Sequence, residues 1–284
     1  MARISELLAA GPTLSFEFGP PRDDEGARRL EKVLHELRPL APAFVSVTYG
    51  AGGTTRGATR EIVEHIHRDL GLTVMPHLTC VAQRRDEITA LVRGYADAGI
   101  ENLLALAGDA PNDGQIHESD FTYAVELIDL AREAGDFAIG VSAFPEGHPR
   151  SPDLASDRRH LAAKLAMADF GMTQFFFEAS HYFRMVDELA ALGVDKPVVP
   201  GVMLFVNVEG ARRMSSLNGT TIPASLQERF DAVDGKPGDV RRLAVEMGAA
   251  LVEELLAGGA PGVHLYTMNF SRATREMVAQ LGLR

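Results

Sequence analysis

Short apolar runs rich in β-branched and aromatic residues recur along the chain at positions 14–18, 44–49, 73–79, 102–106, 137–144, 172–177, 198–203 and 263–268. Longer segments at 25–37, 59–70, 85–98 and 120–134 separate the early runs and carry apolar residues at helical spacing. In 25–37, Leu30, Val33, Leu34 and Leu37 fall on one face, with Arg and Glu on the other. The strand signals are spaced roughly 30 residues apart, as in repeated βα units. Eight strands alternating with helices predict an α/β fold with a parallel sheet closed into a (βα)8 TIM barrel, with residues 1–284 as one catalytic domain. The spacing becomes irregular after Met203, where 207–261 holds two or more helical pieces around Asn218-Gly219 and Asp234-Gly235-Lys236-Pro237-Gly238. An open doubly wound sheet is the rival. It usually carries a glycine-rich phosphate fingerprint after its first strand, and here that place reads Gly19-Pro20-Pro21-Arg22.

Composition narrows the function classes. A formal charge of −11 argues against a nucleic-acid or anionic-membrane binder, since both need basic surface. The single cysteine, Cys80, excludes an internal disulfide and follows a strand-like run, so it reads as a buried structural thiol. No stretch reaches the roughly 20 apolar residues of a membrane span, and the N-terminus lacks a signal-peptide pattern. The expected address is the cytoplasm.

A (βα)8 barrel builds its active site at the C-terminal ends of its strands, so polar residues there carry information. They are Glu17, Thr48, Tyr49, His77, Asp109, Phe144 with Glu146 and His148, Gln174, Asn207, and Tyr266 with Asn269. Strand parity sends Glu17 and Ser15 to one face and Phe16 and Phe18 to the other. An inward, partly desolvated glutamate would have a raised pKa and suit a general acid near neutral pH; a structural glutamate paired with an arginine is the other reading. The loop Tyr49-Gly50-Ala51-Gly52-Gly53-Thr54-Thr55-Arg56 could hold a phosphate but lacks the Lys-Ser/Thr ending of a P-loop, and a tight βα turn explains it as well. His65 and His67 do not share a helix face, His35 and His160 fall in helical segments, and His77 and His148 sit at strand ends. None pairs with Cys80 at ligand spacing, so no catalytic metal is expected.

Taken together, these strand ends resemble the methylenetetrahydrofolate reductase family, in its bacterial single-barrel form. The matching pieces run in order along nearly the whole chain: Ser15-Phe16-Glu17-Phe18-Gly19-Pro20-Pro21, residues 44–53, Pro76-His77-Leu78-Thr79-Cys80, Gly108-Asp109, Phe144-Pro145-Glu146-Gly147-His148-Pro149, Thr173-Gln174-Phe175-Phe176-Phe177, Pro200-Gly201 and Tyr266-Thr267-Met268-Asn269. The resemblance implies that 5,10-methylenetetrahydrofolate is reduced to 5-methyltetrahydrofolate with NADH or NADPH as the source of hydride. It makes Glu17 the proton donor and puts Asp109 by the pterin and the electron donor. Gln174 and Tyr266 would hold the substrate, and Thr48, Tyr49, His77, Phe144, His148, Asp157 and Lys164 the cofactor.

Members of the family usually carry FAD, and several flavin-site positions differ here. Ala107 replaces an arginine before Gly-Asp, Phe144 a tyrosine, His160 an asparagine and Ala163 an arginine, and the turn before the sixth strand is shortened to Ala166-Met167-Ala168-Asp169. The expectation is direct hydride transfer from the nicotinamide without bound flavin, the dinucleotide taking the flavin's place. Phe270 replaces an arginine after the last-strand asparagine, which leaves the hold on the folate tail open, and Met214 stands where relatives stack a phenylalanine on nicotinamide. Three alternatives remain: the same reaction with FAD, a reductase of another pterin or with a deazaflavin donor, and a non-catalytic folate-binding barrel. Helix faces such as residues 251–256 fit packing within the barrel or across a homo-oligomer.

Overall fold

Strand β1 (Thr13–Phe18) sets the layering of the molecule by its alternation. Phe16 and Phe18 join the large apolar layer between sheet and helices, while Ser15 and Glu17 point into the space the sheet encloses. The computed structural model describes residues 2–49, 56–81, 83–108 and 118–283. The remaining strands are β2 (Phe44–Val47), β3 (Val74–Thr79), β4 (Asn102–Leu106), β5 (Ala138–Ala143), β6 (Phe170–Thr173), β7 (Val198–Val199), β8 (Gly201–Met203) and β9 (Gly262–Tyr266). Every pairing is parallel, and the order is β7-β6-β5-β4-β3-β2-β1-β9-β8.

β7 and β8 are one barrel strand broken at Pro200, which has no N–H to give to a ladder. The first piece pairs with β6 and the second with β9, so the two together bring the ends of the sheet to one another. Side chains finish the seam. The Gly201 N–H donates to Thr173 Oγ1 at 2.8 Å, and the Tyr266 hydroxyl donates to the Thr173 carbonyl at 2.5 Å. A Cβ at position 201 would collide with that carbonyl and the Tyr266 hydroxyl, so the seam requires glycine.

The helices around the sheet are α2 (Asp24–Leu37), α3 (Arg56–Arg68), α4 (Arg85–Asp97), α5 (Ala124–Ala134), α6 (Leu154–Met167), α7 (Ala179–Ala191), α10 (Pro237–Ala257) and α11 (Ser271–Leu281). In α2, Asp23 caps the N-terminus by accepting from the Gly26 N–H at 2.7 Å, and Leu30, Val33, Leu34 and Leu37 are buried against the sheet. Each such side chain contributes about 1.5–3 kcal/mol, and Leu34→Ala would cost about 2–5 kcal/mol. The sequence expectation for α5 began at position 120. Asp120 instead accepts from the Arg85 N–H at 2.8 Å, at the head of α4, and α5 starts at Ala124.

Two features lie outside the eight-fold repeat. Helix α1 (Ile4–Ala10) plugs the N-terminal end of the barrel. Its Ile4 and Leu8 pack with Phe44, Met75, Leu104, Phe170, Met172 and Val199, and Asn102 Oδ1 accepts from the Ile4 N–H at 2.7 Å. At the other end, α8 (Val208–Asn218) and α9 (Ala224–Val233) precede α10, so the irregular 207–261 stretch holds three helices. Val208, Leu226 and Phe230 pack there with Met203, Phe205, Phe175 and Tyr266 as a second apolar cluster.

Candidate active site

The barrel interior is apolar over the α1 plug and polar towards the C-terminal ends of the strands, where Glu17 sits. Glu17 lies in register with Ser46 on β2 and Tyr266 on β9. Its side chain is 21% exposed, and its Oε2 lies 3.6 Å from His77 Nε2 and 3.9 Å from His264 Nε2. Burial pushes the carboxyl up to about 8 and both imidazoles down to about 3, with His77 adding to the shift of His264. The group near neutral pH is therefore a protonated acid among neutral rings, not an ion pair. Among the described residues no arginine pairs with Glu17.

His264 was not singled out in the sequence. Its only signal there is a histidine inside the apolar run Val263-His264-Leu265. It is fully buried, with Nδ1 2.8 Å from Ser15 Oγ and Nε2 3.0 Å from Ser46 Oγ, and its ring stacks on Phe44. Tyr266 is committed to the seam, and burial, reinforced by Glu17, raises its phenol well above the ordinary range.

The loop after β1 is fastened to the loop after β9. Asn269 donates to the Gly19 carbonyl and accepts from the Gly19 N–H, both at 2.9 Å. Thr267 Oγ1 donates to the Glu17 carbonyl at 2.7 Å and accepts from the Asn269 N–H at 3.2 Å. Met268 and Asn269 reach these positions with φ of 52° and 56°, a left-handed pair that costs on the order of 1–3 kcal/mol per residue. Strain of this size next to Glu17 points to a position held for function.

Across the mouth, a cavity of about 650 Å³ opens between the ends of β4 and β5 and helices α5 and α6. Phe144, His148, Asp157 and Lys164 line it, together with the altered positions Ala107, His160 and Ala163. Lys164 Nζ donates to the Ser142 carbonyl at 2.8 Å, and burial lowers its pKa to about 8 against the pull of Asp157. Phe144 and His148 meet edge to face at 4.5 Å. Asp157 accepts from the His148 N–H at 2.9 Å and from Ser151 Oγ at 3.1 Å. Its other oxygen takes Arg158, which also binds Glu188 at 2.7 Å and the carbonyls of Phe144 and Pro145. Arg158 braces the loop after β5 and was missed because its partners are distant in sequence.

The remaining predicted residues fall as follows. Thr48 follows β2, its N–H donating to the Phe18 carbonyl at 2.9 Å and its carbonyl accepting from the Thr59 hydroxyl at 3.3 Å. Gln174 follows β6, its Oε1 accepting from the Phe175 N–H at 2.9 Å. Tyr49 is not brought to the mouth. It is 8% exposed in the outer apolar layer, with its hydroxyl 3.5 Å from the Gln83 amide. Parity explains this: Thr48 and Tyr49 are successive in an extended segment and face opposite sides. Asp109 and the glycine-rich loop 50–55 lie outside the described residues. Among the described residues, no helix is long and apolar enough to cross a membrane.

A model of the methylenetetrahydrofolate reductase family matches residues 3–282. The chain is 34% identical to the 5,10-methylenetetrahydrofolate reductase of Escherichia coli K12 over 272 residues, covering 95% of this chain and 91% of that one. It is 33% identical to the protein of the same name from Pectobacterium carotovorum, again over 95% of this chain. Among solved structures, a Clostridium thermocellum protein described as binding two copies of 5-methyl-5,6,7,8-tetrahydrofolic acid superposes with a TM-score of 0.69. At 14% identity over 99% of this chain and 96% of that one, it supports the barrel fold. The chain belongs to the methylenetetrahydrofolate reductase family.

Proposed function

We propose that this protein reduces 5,10-methylenetetrahydrofolate to 5-methyltetrahydrofolate, taking hydride directly from NADH or NADPH. One folate, one reduced nicotinamide and one proton give one methylfolate and one oxidised nicotinamide. Glu17 supplies the proton to the departing nitrogen of the five-membered ring. The ring opens to a cationic iminium at the other nitrogen, and its methylene carbon accepts the hydride. The observation that carries the reading is Glu17 itself, a carboxyl raised to about 8 at the barrel mouth, in the protonation state the step needs. Gln174 and Tyr266 are assigned to the pterin, and Asp109 to stabilising the cation. Thr48 and His77 on the acid side, with Phe144, His148, Asp157 and Lys164 across the mouth, are assigned to the dinucleotide. Holding the two carbons at near-attack distance supplies much of the remaining acceleration. Tyr49, packed behind the sheet, is left out of this set.

FAD, usual in the family, fits the cavity wall poorly. Ala107 and Ala163 present methyl groups where relatives carry arginines, which leaves Lys164 and the exposed Arg150 as the cations lining the wall, and Arg158 is engaged with Asp157, Glu188 and two carbonyls. Each missing charge-assisted bond is worth about 1.5–3 kcal/mol. The test is the visible spectrum of the purified protein, followed by oxidation of NADH and of NADPH with the folate. A colourless protein that turns over is the expected result. Stoichiometric FAD would overturn the flavin-free mechanism, and a colourless protein inactive even with added FAD would overturn the reductase reading.

A further inference from the structure

The side chains beneath Glu17 form an ordered chain of donors and acceptors. Ser15 lies two residues below Glu17 on the same face of β1, in register with His264. Its Oγ is 3.1 Å from the Val263 carbonyl and 2.8 Å from His264 Nδ1. A carbonyl can only accept; with the single hydroxyl proton given to it, the Ser15 oxygen accepts from Nδ1–H. That arrangement has the imidazole proton on Nδ1. The other nitrogen, Nε2, then accepts from the Ser46 hydroxyl at 3.0 Å. The ring is buried and stacked on Phe44 with centroids 5.7 Å apart, which holds it against rotation. Its unprotonated edge is therefore the one near Glu17 Oε2. His77 brings Nε2 to 3.6 Å from the same oxygen, and that nitrogen is buried without a hydrogen-bond partner.

We propose that Ser15 and Ser46 fix His264 in the Nδ1–H tautomer, so that its lone-pair edge, together with His77, keeps the proton on Glu17 until the substrate takes it. An ionised carboxylate in this position would face the unprotonated edge of His264, whereas a protonated carboxyl can share its hydrogen with His77 when the His77 proton is on Nδ1. The opposite tautomer would present an N–H to the carboxylate and favour ionisation, discharging the acid near neutral pH. Ser15, Ser46 and His264 are thus positioning residues. Among the described residues, the other titratable group facing Glu17 is Tyr266, whose proton is committed to the Thr173 carbonyl. The β2 segment contributes the uncharged Ser46 and Thr48 there, and the inward positions Leu106, Ser142 and Met172 of β4 to β6 carry no charge.

The consequence for catalysis rests on the proposed reduction, but the tautomer lock can be measured apart from it. Infrared titration of the Glu17 carbonyl band in the whole protein, with Glu17→Gln as the blank, reads the proton directly. The expected midpoint is about 8. Ser15→Ala frees Nδ1, lets the proton move to Nε2, and should lower the midpoint by about one pH unit. The alkaline limb of kcat should fall in parallel, with KM unchanged. Ser46→Ala leaves Nδ1–H bound to Ser15, so its midpoint should stay in place or rise. An unchanged midpoint in Ser15→Ala, or an equal drop in both variants, overturns the proposal. Nitrogen NMR of the parent protein gives a second reading that needs no variant: a proton found on His264 Nε2 also overturns it. A band that titrates as expected in a protein without reductase activity supports the lock and overturns the proposed reaction.

Discussion

Around Glu17 the polar groups are tied to one another at fixed distances, and nearly all of them stand on strands. Ser15, Ser46, His77, His264 and Tyr266 are set by the register of neighbouring ladders, and the Asn269 clamp closes the rim above them. The cavity across the mouth is made differently. Its wall is drawn from α5, α6 and the loop after β5, and its shape depends on one buried arginine holding that loop by two carbonyls. Loop and helix positions tolerate exchange better than residues locked by strand register. Of the family positions that have changed, Ala107, Phe144, His160 and Ala163 line the cavity, whereas Phe270 follows the Asn269 clamp on the acid side and Met214 packs with the second apolar cluster. On the proposed reading, proton delivery and the holding of the hydride donor fall to separate parts of this barrel.

The largest effect should come from removing the acid. Glu17→Gln keeps the shape and loses the transferable proton, so kcat should fall about 10²- to 10⁴-fold while folate affinity, measured by calorimetry, stays nearly constant. Turnover close to the parent's would take Glu17 out of the mechanism and dissolve the contrast between the two regions. On the cavity side, Arg158→Met should cost about 3–5 kcal/mol in denaturant unfolding, because it leaves Asp157 and Glu188 without their buried partner. A loss below about 1 kcal/mol would mean that the loop holds itself and the arginine is not its brace.

Restoring a cation tests the same contrast in the opposite direction. Ala163→Arg places a guanidinium on the cavity wall, where one charge-assisted bond to a phosphate is worth about 1.5–3 kcal/mol. FAD affinity, followed by flavin fluorescence, should rise about tenfold or more, with the Glu17 side unaffected. Unchanged affinity would show that the lost arginines are not what sets flavin binding here.

The alternation of β1 and the apolar runs made the barrel and the inward direction of Glu17 readable before any coordinates, because parity and period are local properties. The parts that escaped are non-local. α1 is only seven residues long and draws its stability from plugging the barrel, which its own pattern cannot reveal. His264 depends on serines 218 and 249 residues away, and Arg158 on carbonyls that become neighbours only when the loop after β5 folds back. Tyr49 reads in sequence both as a strand-end polar residue and, from the resemblance, as a cofactor contact; it follows Thr48 on the opposite face and its ring packs in the outer apolar layer. Pro200 did stand in the run 198–203, but that the break would form the seam depended on β6 and β9 arriving on either side of it.

The smallest effect concerns stability against pH, and its sign separates the acid from the rings beside it. His77 and His264 have folded pKa values of about 3 against an ordinary 6.5, so between these limits the unfolded chain binds more protons and stability rises with pH. Glu17 is shifted the other way, from 4.5 to about 8, so the folded state binds the extra proton and stability falls as pH rises through that window. Where the windows overlap, two histidines outweigh one glutamate. Above 6.5 the glutamate sets the sign, with the raised His65 acting in the same direction, until Lys164 begins to oppose it near pH 8. Chemical denaturation should therefore find a maximum near pH 6.5 and a decline of about 2 kcal/mol by pH 8. Glu17→Gln should abolish that decline and leave the rise below pH 6.5. A parent protein equally stable at pH 6.5 and 8 would mean that the carboxyl is already ionised at the mouth, and that the proton must reach the substrate from elsewhere.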